Sequence, residues 1–200
     1  MAFPTVDTPY GFKPINRFDG MPYAGATNQY PVTSGQAVYN GQVVAFITGG
    51  TVSPVASRTA NTNAVGVVVG VQYTNSSGQT VQAQYAPASG VTNVVAYVVN
   101  DPAAEFKVAV TNSSSVIVPV AGTILNSSVG GVTGTGDPAT GNINSSINGS
   151  TAATGTNLLF RVTALVPETI DVTTGNYTEV VVKFNGTWHQ QLSTVGTAPA

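Results

Sequence analysis

The side chains able to move protons near neutral pH are few: the carboxylates Asp7, Asp19, Asp101, Glu105, Asp137, Glu168, Asp171 and Glu179, and the histidine His189. Paired-carboxylate catalysis needs two acids converging in a cleft. Asp101 and Glu105 are the closest interesting pair, but Asp101-Pro102 reads as a turn and Glu105 as the solvent face of a strand. Glu168 and Asp171 fall in a loop between strands, as solvated turn residues. A nucleophilic triad or a histidine metal centre would have to be built around His189. No Ser or Asp stands in a matching motif, and neither GxSxG nor HExxH occurs. His189 follows Trp188 at the end of a strand, where it is expected to cap the β-structure by packing and hydrogen bonding. The Gly pairs at 49–50 and 130–131 lack the Lys and the strand–helix setting of a phosphate loop. Without cysteine there are no thiolate sites, and no oxygen-ligand loop stands out for calcium. The expectation is a protein that is not an enzyme, with no catalytic residues, no cofactor and no metal.

Binding chemistry concentrates instead in residues 9–31, PYGFKPINRFDGMPYAGATNQYP. Phe3, Tyr10, Phe12, Phe18, Tyr23 and Tyr30 all precede position 32, as do Pro4, Pro9, Pro14, Pro22 and Pro31. Prolines this dense rule out an ordinary helix or central strand. The rings are too many for a solvated linker. Residues 1–31 therefore read as an extended N-terminal arm, and about twenty extended residues reach roughly 65–70 Å. Such an arm either docks on a partner surface or folds back on its own domain.

The elements behind the arm read as β throughout. Hydrophobic residues make up 42% of the chain and charged ones only 7%, with 22 Gly and 12 Pro. Against about 25% charge in an average soluble protein, this neutral hydroxyl and amide surface suits contact with neighbours. A net charge of −2 with scattered basic residues argues against nucleic acid. No apolar run approaches the length of a membrane span, and the N-terminus lacks the pattern of a secretory signal, so a soluble protein made in a cytoplasm is expected. Residues 36–38 and 42–48 read as strands joined by Asn40-Gly41 turn chemistry. Residues 64–73, AVGVVVGVQY, predict a strand buried on both faces, with Gly66 and Gly70 leaving room for a neighbouring backbone or a bend. Further strands are expected over 80–85, 94–99, 105–110, 158–166 and 177–184. Residues 126–157 form a Gly/Ser/Thr/Asn tract with too little apolar surface to order itself, and read as a long low-complexity loop. The fold class is all-β: a small β-barrel or sandwich over residues 32–200, preceded by the arm.

On residue types alone three functions compete. One is a structural or assembly protein on a repetitive lattice. Another is a carbohydrate-binding β-module, whose sign would be exposed aromatic platforms. A small hydrolase with a hidden site is the third, and the shortage of acids and histidine counts against it.

The opening YGFKPINRFDGMPYAGATNQYPV resembles that of virion structural proteins of tailed phages, particularly marine podovirus-like ones. GQVVAFITGGTVSPV, AVGVVVGVQYT, QYAPA, VVAYVVNDPAAEFKV and YTEVVVKFNGTWHQ are similar to the same group. The order G-x-V-V, G-G-x-V, x-V-G-V resembles, more distantly, capsid decoration (cement) proteins, whose small β-barrels sit on the outer capsid surface. The likeness covers most of the chain in order, with 126–157 the weakest match. It implies a head decoration protein of the virion, made in the host bacterial cytoplasm. Such a protein is a homo-oligomer, a trimer before a dimer, bound to the major capsid protein at symmetry axes and resisting internal genome pressure. Carried over to this sequence, the candidate contacts with capsid or a neighbouring copy are Tyr10, Phe12, Lys13, Arg17, Phe18, Tyr23 and Tyr30. The runner-up is a glycan- or receptor-binding β-module on the virion surface.

Overall fold

The computed structural model describes residues 8–47, 49–55, 63–112, 115–116, 124–153, 158–169, 177–187 and 189–191. The chain opens with β1 (Lys13–Arg17) and β2 (Asn28–Pro31), then β3 (Val38–Tyr39), β4 (Val43–Phe46) and β5 (Val52–Pro54). β6 (Gly66–Asn75), β7 (Thr80–Ala83), β8 (Tyr85–Ala86) and β9 (Val91–Val99) follow. Next come β10 (Ala104–Asn112), β11 (Ser115–Val116), β12 (Ser128–Val132), β13 (Gly136–Asp137) and β14 (Asn142–Ile143). β15 (Ser146–Ala153), β16 (Phe160–Leu165) and β17 (Glu179–Phe184) complete the order. Among the described residues the chain also forms a 3₁₀ turn at Pro167–Thr169, and no helix there is long and apolar enough to cross a membrane.

β10, β15, β12, β16 and β17 pair in a ring that closes where β17 returns to β10, giving a five-stranded barrel; its one parallel contact is β10 with β15. The second sheet runs β2-β9-β6-β4-β5, with β7 on β6, and the Val32–Val52 bridge draws its ends together. Closure hides edges that would otherwise invite pairing with other chains.

The central strands of the second sheet are buried on both faces, as the β-branched run at 64–73 predicts. Val43, Val67 and Val99 join the barrel's cluster with Phe106, Phe160 and Phe184, whereas Val44, Val68, Val71 and Val98 form a second cluster on the other face. Val68 and Val71 are three apart and would oppose each other in an unbroken pleat. A register shift between Val68 and Gly70 brings them to one face, so Gly70 marks a bend. Gly66 is the close approach: a Cβ there would lie 2.2 Å from the Val99 carbonyl oxygen.

Two expectations are corrected. The 126–157 tract is no loop where the structure describes it, since it supplies β12, β13, β14 and β15, two of them staves of the barrel. Its apolar residues are few but buried (Val129, Ile143 and Ile147), and its polar ones are satisfied, Ser146 Oγ lying 2.8 Å from Thr111 Oγ1. Glycine allows what bulk would forbid: a Cβ on Gly136 would meet the Tyr39 ring at 2.2 Å. The second correction concerns residues 8–31, which do not reach away from the body. β1 pairs with β10 and β2 with β9. Both are sheet-edge strands, the position proline tolerates, and a register shift between Pro14 and Asn16 absorbs the break at Pro14. The division at residue 31 thus runs through the fold, with β1 in one sheet and β2 in the other.

Candidate functional site

After β1 the chain reverses through Phe18-Asp19-Gly20-Met21. Arg17 N donates to Met21 O at 2.8 Å, Tyr23 N to Ile15 O at 3.3 Å, and Asn16 bridges Pro22. The result is a short hairpin. Its tip is tied to the body by Phe18 N donating to Ala103 O at 2.7 Å, and by Arg17 pairing with Asp19 at 3.4 Å and Asp101 at 3.3 Å. The tip side chains stay outside: Phe18 is 60% exposed and Met21 59%. Both are large apolar residues on a backbone held at its base.

Beside this tip lies a groove of about 470 Å³, lined by Phe18, Pro102, Asn126, Arg161, Lys183 and Asn185 among others. Arg161 and Lys183 are direct cross-strand partners on β16 and β17. Lys183 Nζ sits 3.4 Å from the centroid of the Phe18 ring. Arg161 Nε donates to Asn126 Oδ1 at 2.9 Å, which orients the guanidinium. Asn126 itself holds a left-handed backbone, φ 61°, which Asn adopts more readily than most residues.

The other expected contact residues are engaged with their own chain. Phe12 is fully buried and stacked on Phe160 at 4.6 Å, so it is a core residue and no contact for a partner; burying the ring contributes about 1.5–3 kcal/mol. Tyr10 donates its hydroxyl to Glu179, and Lys107 pairs with Glu179 at 3.1 Å while facing the Tyr10 ring. Burial, with the Glu179 carboxylate beside it, pushes the Tyr10 hydroxyl pKa well up. Lys13 Nζ donates to Asn142 Oδ1 at 2.7 Å, and burial lowers its pKa. Tyr23 donates to Ala26 O at 2.9 Å and packs on the barrel core; burial and then Asp101 raise its pKa. Tyr30 accepts from Asn100 Nδ2 at 2.7 Å and meets Phe46 edge-on. Of the expected set, Phe18 alone remains largely in solvent.

His189 is fully buried against the Phe184 ring and bridges Ala64, as the packing role required. Burial drives its pKa down to about 4, so the imidazole is neutral at physiological pH. Its Nε2 makes no hydrogen bond within the described structure. Asp101 caps its own turn, accepting from Ala103 N at 2.9 Å, and is also spent on Arg17. Among the described residues no three His, Cys, Asp or Glu side chains gather as metal ligands. Asp7, Asp171, Trp188 and Phe3 lie outside the described residues.

Sequence reasoning missed Met21, Asn126, Arg161 and Lys183. A lone cation in each of the apolar strands FRVTAL and EVVVKF was the available sign, but the register that places them side by side is a tertiary fact. No protein-family model, no curated protein and no solved structure matches the chain.

Proposed function

We propose that this chain is a non-enzymatic virion structural protein that decorates and stabilises a capsid shell, gripping the major capsid protein with the tip of its N-terminal hairpin. The observation that carries the reading is the exposed Phe18–Met21 pair on a backbone tied to the barrel. It replaces a loose arm with a rigid apolar knob, which loses little entropy on docking. The low charge of the chain, its resemblance to virion structural proteins of tailed phages and its more distant resemblance to capsid decoration proteins support the same reading. One small knob binds weakly, so retention on a shell comes from several copies acting together, as in a trimer. The site of action is the outer capsid surface of a virion assembled in a bacterial cytoplasm. A glycan- or receptor-binding module would present aromatic platforms, and Phe18 is the large aromatic that stands mostly exposed among the described residues, beside a cation.

The test is loading of the full chain onto parent-virus heads stripped of it. The double variant Phe18→Ser with Met21→Ser should melt like the wild type yet lose at least about tenfold in head affinity, the effect of withdrawing two apolar side chains from an interface. Undiminished loading of the folded variant refutes the grip. Selective retention on a glycan array, without binding to heads, establishes the alternative.

A further inference from the structure

Lysine and arginine total six in this chain, and two of them, Arg161 and Lys183, stand directly opposite each other on β16 and β17. Like charges in that position repel, so the arrangement costs stability unless something compensates it. Nothing acidic does so among the described residues, whose ion pairs are Arg17 with Asp19 and Asp101, and Lys107 with Glu179. The acids nearest in the chain to the groove, Asp19 and Asp101, are thus already taken by Arg17. Lys183 is held over the Phe18 ring and Arg161 is turned by Asn126 through Nε, so both cations are oriented along one groove of about 470 Å³.

We propose that this groove binds the carboxylate of an Asp or Glu side chain presented by a polypeptide segment with apolar neighbours. A guanidinium whose Nε is already engaged still offers its two terminal nitrogens, and an ammonium opposite completes a site for one planar anion. The rim decides the class of partner. Phe18, exposed on the hairpin tip, and Pro102 line the groove, and the exposed Met21 and Leu125 stand close in the chain to the lining residues Phe18 and Asn126. A free phosphate leaves these apolar side chains in water, and an acidic sugar covers them with hydroxyls. An acidic segment flanked by leucine-like residues matches both the charge and the apolar border. The inference stands on the chemistry of the groove itself; only the naming of capsid protein as the source of the segment rests on the function proposed above.

The test uses the full-length, isotope-labelled chain and NMR titration with acetyl-Leu-Glu-Leu-amide and acetyl-Leu-Gln-Leu-amide. The Glu peptide should shift Phe18, Asn126, Arg161 and Lys183 signals saturably, and the Gln peptide should bind about tenfold or more weakly, since a charge-assisted contact is lost. Arg161→Gln and Lys183→Gln should each weaken the Glu peptide by a similar factor. Arg161→Lys, which keeps the charge and loses the fork, should fall between. If the Gln variants unfold, the Glu-to-Gln peptide comparison on the wild type carries the test alone. Equal binding of the two peptides, absence of saturable shifts, or shifts centred elsewhere overturns the proposal. Tighter binding of inorganic phosphate or N-acetylneuraminic acid than of the Glu peptide overturns the polypeptide assignment. None of these readings involves virus heads, so failure here and failure of head loading are separate results.

Discussion

Phe12 lies nearly face to face with Phe160, Phe160 meets Phe184 at 5.1 Å, and Phe184 packs edge-on against both Phe106 and His189. This file of rings joins the N-terminal segment to the last strand of the barrel. Truncating Phe12 to Ala leaves a ring-sized cavity in the middle of it, and the expected loss is about 3–5 kcal/mol of unfolding free energy in a urea titration. A loss under about 1 kcal/mol would mean that Phe12 is not in the core. His189 adds a pH signature. Its folded pKa, near 4, lies below the ordinary 6.5. Above pH 6.5 both folded and unfolded chains hold a neutral ring and the histidine contributes no slope. Between about 6.5 and 4 the unfolded chain takes a proton that the buried ring refuses, so stability falls by about 1.4 kcal/mol per pH unit. Measured against His189→Gln, the wild type should lose ground across that window and keep a constant difference above it; a constant difference throughout would contradict the burial.

Strands were legible where side chains carry a period. The valine run of β6 announces burial on both faces, and the chain does turn at Asn40-Gly41, although the strands on either side do not form a hairpin: β3 pairs with β8, and β4 with β5 and β6. Gly66 was legible as a close approach, and its neighbour is the backbone of β9. Gly66→Ala should cost about 1–3 kcal/mol or more, because the added methyl meets a carbonyl that cannot move without breaking the β6–β9 ladder. Thermal melting checks this, and an unchanged midpoint would show the ladder to be slack. The 126–157 tract was illegible for the opposite reason. Its strands are held by satisfied hydroxyls and by glycines pressed against rings and backbone, neither of which leaves an apolar period in the sequence. The N-terminal segment misled in another way. Its prolines do exclude a central strand, but edge strands accept them, and rings that could serve a partner serve the barrel instead. Of the candidate site only Phe18 was foreseen, because hairpin reversal and cross-strand register are properties of the assembled sheets.

Across the described residues, a closed barrel shares its cluster with a second sheet, and residues 8–31 are sewn into both. Among the described residues, the surface that the proposed function uses is compact: an apolar knob at Phe18 and Met21 and a cationic groove beside it, on a chain of otherwise sparse charge. That economy suits a protein repeated many times over a larger surface, where weak contacts act together. The most direct measurement of the proposed capsid role is a cryo-electron microscopy reconstruction, at a resolution that traces the chain, of the virion to which the proposal assigns it. The expected result is this fold in oligomeric clusters on the outer shell, with the Phe18–Met21 tip buried against capsid protein. Finding the fold on the tail or missing from the particle, or finding the tip in open solvent on the shell, would contradict it.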